Sequence, residues 1–211
     1  MYFLYKIFLF LLIIISPFLV IIRILIGKES PTRFKEKFCF FSNKSLNGKT
    51  VWIHGASLGE IQSIIPIVKK FEKNKKIKQI LITSNTLSSS FLIPKFKFKK
   101  TVHQFFPLDL NYLSKKFLNY WNPSIAIFVD SEIWPNMISN LYNKKIPIII
   151  LNARFTKKSF KRWISYPKFS KNIFRKISMA IPQNSETLFY LKELGVKNIK
   201  KISNLKYYGE K

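Results

Sequence analysis

The chain has 211 residues, enough for one membrane segment and one domain with a sizeable core, but thin for two full domains. Hydrophobic residues make up 47% and aromatics 16%, which excludes a disordered chain. Lys and Arg number 37 against 10 Asp and Glu, a formal net charge of +27. Such a field draws polyanions: nucleic acid, anionic lipid or a phosphorylated substrate. A solvated lysine-rich surface accounts for the same numbers, and both readings stay open. Cys39 is the only cysteine, and His54 and His103 are the only histidines, so an intrachain disulfide, a Cys-based metal site and a His-rich metal site are excluded.

The first element in chain order is apolar. Residues 7–22 carry no charge and are interrupted only by Ser16 and Pro17. Extended to Ile26, the run is about 20 residues or roughly 30 Å of helix, which matches a bilayer core. Arg23 falls near one end, where its stem can snorkel to the headgroups. A cleaved signal peptide is the competing reading, but only Lys6 precedes the run and no small-residue cleavage site follows it. Lys28, Arg33, Lys35 and Lys37 follow the segment, so the positive-inside rule places the rest of the chain in the cytoplasm. The expected division is a transmembrane anchor over 1–27, a juxtamembrane linker over 28–50 and a folded domain over 51–211.

From Val51 short apolar β-rich runs recur, at 51–54, 79–83, 102–106, 125–129, 147–151 and 179–182. Stretches with helical spacing separate them. Ile61, Ile64, Ile65, Val68 and Phe71 share one helix face; so do Phe117, Leu118 and Trp121, and Leu188, Leu191 and Leu194. Strands alternating with helices predict βαβ units and a mostly parallel sheet, covered on both faces. The expected fold class is α/β: an N-terminal transmembrane helix followed by one Rossmann-like domain, with ligands at the carboxyl ends of the strands. Residues 91–100 mix Phe, Leu and Ile with lysines. They read either as a solvated turn or as a cationic apolar patch on an anionic membrane.

Polar residues cluster after the strands. The first loop is His54, Gly55, Ala56, Ser57, Leu58, Gly59 and Glu60. Its glycines permit a tight turn and close ligand approach. Ser57 suits a helix cap, and Glu60 would lie in the first helical turn. A carboxylate there serves either as a cap or as a general base. The second loop is Asp130, Ser131, Glu132, Ile133, Trp134, Pro135 and Asn136. Pro135 fits the first turn of a helix, and capping explains Ser131 and Glu132. The third is Asn152, Ala153 and Arg154. An arginine at a strand end binds phosphate or carboxylate bidentately, or pairs with Asp130 or Glu132. Gln183, Asn184, Ser185 and Glu186 read as a helix cap. No Walker A, G-x-G-x-x-G, H-E-x-x-H or G-x-S-x-G pattern occurs, nor any helix-turn-helix, RRM or zinc-finger pattern, so no nucleic-acid partner is expected.

Taken together, these loops resemble one family. The residues from His54 to Glu60 are similar to its H-x-x-S-x-G-E segment. Those from Asp130 to Asn136 are similar to E-T-E-L-W-P-N. Asn152, Ala153 and Arg154 with Ser159 resemble N-A-R-L-S, and Pro107, Leu108 and Asp109, then Ser203, Asn204, Leu205 and Lys206, match shorter signatures in the same order. The family is the Kdo (3-deoxy-manno-octulosonic acid) transferases, which add Kdo to the lipid A precursor of lipopolysaccharide. The resemblance implies a GT-B fold of two Rossmann-like domains, with the lipid acceptor on the N-terminal one and CMP-Kdo mostly on the C-terminal one. It implies an inverting transfer without metal or cofactor, with CMP-Kdo as donor. It implies Glu60 as catalytic carboxylate and assigns substrate-binding positions to Ser57, Gly59, Glu132, Asn136, Asn152 and Arg154. An inner-membrane location follows from the same resemblance. Asp130 stands where the family has Glu, and Ser203 where it has Gly. The chain stops about where the second domain would begin, which points to a fragment, a half that works with a separate C-terminal-domain chain, or an inactive acceptor-binding remnant.

Overall fold

The computed structural model describes residue 18 and residues 20–200. Six strands form one parallel sheet: β1 (Thr50–His54), β2 (Gln79–Ser84), β3 (Thr101–Phe105), β4 (Ile125–Val129), β5 (Ile148–Ala153) and β6 (Met179–Pro182). The helices between them are α1 (Leu58–Lys73), α2 (Leu87–Ser90), α3 (Asn111–Trp121), α4 (Pro135–Asn143), α5 (Lys157–Ile164), α6 (Pro167–Phe174) and α7 (Ser185–Leu194). The spatial order is β3-β2-β1-β4-β5-β6, all neighbours parallel. The chain therefore winds outward from β1 in one direction, returns to pair β4 with β1, and winds outward the other way. The loops leaving β1 and β4 diverge to opposite faces and open a crevice between them, where doubly wound sheets place their ligands. The α/β expectation and the six strands are borne out, each run falling within two residues of its strand's ends.

Burial explains the strand composition. Every residue of β1 and β2 is buried, because helices cover both sheet faces. On one face α1 packs Ile61, Ile64, Ile65 and Val68 against Val51, Ile53, Ile80 and Ile82. The other face is aromatic. Trp52 is fully buried, with ring centroids 4.9 Å from Phe117 of α3 and 5.3 Å from Phe128 of β4. Burying such rings contributes about 1.5–3 kcal/mol each, and aromatic contacts add to that.

The helices start and stop for local reasons. Ser57, Thr156 and Asn184 accept backbone N–H groups at the starts of α1, α5 and α7. Pro135 and Pro167 occupy first turns, where a missing N–H costs nothing. Gly195, at φ 99°, ends α7 in the left-handed conformation. The expected cap in the 183–186 loop is present in Asn184.

Residues 28–50, expected as a linker, are packed instead. Glu29, Ser30, Glu36 and Cys39 are buried, and a 3-10 turn (Phe34–Phe38) lies against β3. Most of the expected anchor, 1–17 and Leu19, lies outside the described residues. Among the described residues no helix is long and apolar enough to cross a membrane.

Candidate active site

The crevice is built from the ends of β1, β4 and β5. After β1, Gly55 turns the chain into α1. A Cβ there would lie 3.1 Å from Glu60 Cβ and 3.1 Å from Ile61 Cδ1, so a larger residue would have to push the first turn of α1 a few tenths of an ångström away from the strand end. Gly59 differs: it is exposed, and a Cβ would meet nothing within 4 Å. It leaves open surface on the first turn rather than relieving a clash.

Glu60 is half-buried and both carboxylate oxygens are oriented. The Ala56 N–H donates to Oε2 at 2.8 Å, and the Ser57 hydroxyl donates to Oε1 at 2.7 Å. Its own N–H donates to Ser57 Oγ at 3.4 Å, a variant of the capping box in which the carboxylate accepts from the N–H of Ala56, one residue before the N-cap. Cap and base are therefore not exclusive readings: each oxygen keeps a second lone pair, and the cap fixes the direction in which it points.

Across the crevice, Asp130 follows β4 at φ 64°, and its N–H donates to Leu151 O at 3.0 Å. This left-handed turn is tolerated by Asp more readily than by most residues. Its carboxyl is pushed up to about 6, first by burial and then by the Glu60 charge; Arg154 pulls the other way and Glu132 adds to the rise. Glu60, Asp130, Glu132 and Arg154 thus share one electrostatic neighbourhood. Arg154 is exposed and has no ion pair among the described residues, so of its two readings the bridge to Asp130 or Glu132 is not formed. Its guanidinium remains available to an anion.

The Asp130 shift has a sign. A carboxyl with a raised pKa in the fold disfavours folding once ionised, so that penalty is present above about pH 6 and disappears as the pH falls toward about 4. Asp130→Asn is expected to stabilise the fold at pH 8 by about 1 kcal/mol after allowing for solvent screening, with no gain at pH 4. Urea unfolding at the two pH values measures it; an equal or absent gain at both contradicts it.

Glu132 is held differently. Its Oε2 accepts from Trp134 Nε1 at 2.8 Å and faces His54 Nε2 at 3.2 Å. His54 is fully buried, with Nδ1 at 3.0 Å from Thr83 Oγ1, which also accepts Trp52 Nε1 at 2.9 Å. A chain of polar groups thus crosses β2, β1 and the β4 loop and fixes one carboxylate at the crevice. Neither Ser131 nor Glu132 caps α4. Asp109 does, accepting the backbone N–H of Asn136 at 3.0 Å and of Met137 at 2.8 Å.

Asn136 is set apart from the other positions. It is buried, and its amide donates to the Asp109 backbone oxygen, tying the β3–α3 loop to α4. Asn152 is half-buried at φ 54°, where the β5–β6 register shifts between Ile150 and Ala153, and it stands beside the Asp130 turn. Ser57, Gly59, Glu60, Glu132, Asn152 and Arg154 therefore gather at the carboxyl edge of the sheet. Asp109 and the His54–Glu132 contact carry no local sequence signal, since each joins residues 27 or more positions apart.

A parallel doubly wound sheet with oriented carboxylates at its switch point defines a Rossmann-like domain of the GT-B-like kind. The sequence model of the family described as 3-Deoxy-D-manno-octulosonic-acid transferase (kdotransferase) matches residues 32–208, and the chain belongs to that glycosyltransferase family. The 3-deoxy-D-manno-octulosonic acid transferase of Rickettsia bellii is 36% identical over 202 residues, which cover 96% of this chain and 48% of that protein. A probable mitochondrial 3-deoxy-D-manno-octulosonic acid transferase of Arabidopsis thaliana is 37% identical, over 68% of this chain and 32% of that protein. The chain thus spans half or less of the length of these relatives. A crystal structure of UDP-N-acetylglucosamine 2-epimerase superposes with TM-score 0.53 at 11% identity, over 75% of this chain and 49% of that one, a likeness of fold alone.

Proposed function

We propose that this chain is the acceptor-side half of an enzyme that transfers Kdo from CMP-Kdo to the lipid A precursor. The observation that carries the reading is Glu60, held by Ala56 and Ser57 at the mouth of the switch-point crevice. Glu60 accepts the proton of a glucosamine hydroxyl on the acceptor. That oxygen forms the new bond to the anomeric carbon of Kdo, with inversion. The bond from that carbon to the phosphate oxygen of CMP breaks, and CMP leaves with the electron pair. Arg154, exposed and without an ion-pair partner among the described residues, binds a phosphate or the Kdo carboxylate. Glu132 contacts the substrate from the opposite wall. The apolar segment 7–26 anchors the chain in the inner membrane with the domain on the cytoplasmic side. The cationic surface suits a phosphorylated glycolipid lying in that membrane.

A second reading is a partner-dependent or inactive acceptor-binding half; the matched residues cover 48% of the Rickettsia bellii relative. One assay separates them. The chain is incubated with CMP-Kdo and lipid A precursor, alone and with the C-terminal half of that relative. Kdo transfer by the chain alone supports the proposal without a partner, and transfer only in the mixture supports it as a partner-dependent half. No transfer in either leaves the inactive reading standing and sinks the catalytic one.

A further inference from the structure

His54 is fully buried, yet its Nε2 reaches the crevice through Glu132. Its ring stacks on Phe106, with centroids 4.0 Å apart, and meets Phe128 edge to face at 5.7 Å, so packing fixes its plane. The position of the ring proton then decides what the 3.2 Å contact to Glu132 Oε2 is: a hydrogen bond, or a meeting of two lone pairs.

The neighbours of the ring settle that position. Trp52 Nε1 is an indole nitrogen that can only donate, and it donates to Thr83 Oγ1 at 2.9 Å. That hydroxyl still has its own proton to place. Among the described residues its other side-chain partner is His54 Nδ1, at 3.0 Å. The Thr83 carbonyl oxygen, 3.1 Å from Nδ1, already accepts the Gly55 N–H at 3.1 Å. With the ring proton on Nε2, Thr83 donates to His54, and His54 donates to Glu132 Oε2. Trp134 Nε1 donates to the same oxygen at 2.8 Å. All four donors then have acceptors. With the proton on Nδ1, the Thr83 hydroxyl is left without an acceptor, and Nε2 turns a lone pair on the carboxylate.

We infer that His54 is a positioning residue for Glu132, held in its Nε2–H form by Thr83 and, behind Thr83, by Trp52. The row of donors runs one way, from the core to the crevice. It begins at an indole that accepts nothing, so it orients a carboxylate and does not conduct protons. Glu132 Oε2 is gripped by His54 and Trp134. Its Oε1 has no partner among the described residues and is aimed by that grip to accept a substrate hydroxyl. The inference deepens the reading of Glu132 as the wall opposite Glu60 and rests on that reading for its effect on transfer.

The test reads the proton directly. Imidazole nitrogen signals of the full chain are recorded by nitrogen-15 NMR. The chain has two histidines, and His54→Gln identifies the His54 signals by their loss. In the wild type, Nε2 is expected in its N–H form and Nδ1 in its lone-pair form. Thr83→Val keeps the shape of the side chain and removes the hydroxyl. It is expected to move the proton to Nδ1, which then donates to the backbone oxygen of residue 83. With the donor half present, the same variant is expected to raise KM about tenfold and to change kcat less than about twofold, since a ground-state contact is lost. A wild-type ring with its proton on Nδ1, or on both nitrogens, overturns the inference, and does so even if Thr83→Val fails to fold. An unmoved proton in the variant overturns the part given to Thr83, and a moved proton with unchanged KM overturns the positioning role. Absent Kdo transfer with both NMR patterns as expected would remove only the catalytic reading; normal transfer with contrary patterns would remove only the role of His54.

Discussion

Glu60→Gln, assayed with the donor half present, is expected to lower the transfer rate by on the order of 10²–10⁴ while the fold survives. The two halves of that expectation come from different contacts. A glutamine oxygen can still accept the Ala56 N–H, and Gln is itself a capping-box residue, so the start of α1 is retained. What is lost is the negative charge next to the helix N-terminus, about 0.3–1 kcal/mol, and the basicity. Circular dichroism and urea unfolding close to wild type, with transfer gone, separate the base from the cap. Near-normal turnover would assign Glu60 to capping alone.

Glu36→Ala is expected to be the most destabilising single change in the segment before β1, at about 3 kcal/mol. Glu36 is 1% exposed and accepts four donors: Arg33 Nε at 2.7 Å, Arg33 Nη2 at 3.0 Å, Ser42 Oγ at 2.6 Å and the Phe105 N–H at 2.8 Å. Removing it strands the Phe105 N–H and leaves Arg33 against His103, a ring already held far below its usual pKa, at about 3, by burial and by Arg33. An unpartnered N–H and a cation that keeps the His103 carbonyl but loses its counter-charge cost more than the side chain's own burial. The change should loosen the segment that carries the N-terminal helix without touching the crevice. A loss below about 1 kcal/mol in urea unfolding would show that the latch carries little stability.

The strands were legible because parallel, doubly covered strands are apolar throughout, and the helices because their apolar residues recur every three or four positions. The motif loops were legible as loops for the same reason: polar residues stand out where apolar runs end. The long-range polar contacts were not. Asp109 caps α4 from 27 positions away, and Glu36 reaches β3 across 69. Such partners are chosen by tertiary proximity, which no local period encodes. Ser131 and Glu132 illustrate the result: their spacing fits a cap, but the β3–α3 loop delivers a better-placed carboxylate, so Glu132 turns to His54 and Trp134 instead. Asn136 lies in the same motif as Glu132 yet is buried, since it falls in the first turn of α4, where residues 135–138 are all buried, while Glu132 stays in the loop before the helix. Residues 28–50 were misread as a linker because a basic, mixed-polarity stretch hides the two acids, Glu29 and Glu36, that bury and pair.

The most direct measurement is a structure of the chain with a lipid A precursor bound. The proposed mechanism requires the acceptor hydroxyl within about 2.6–3.2 Å of a Glu60 carboxylate oxygen, at the crevice between β1 and β4. An acceptor sugar seated elsewhere, with Glu60 touching only Ala56 and Ser57, would contradict it.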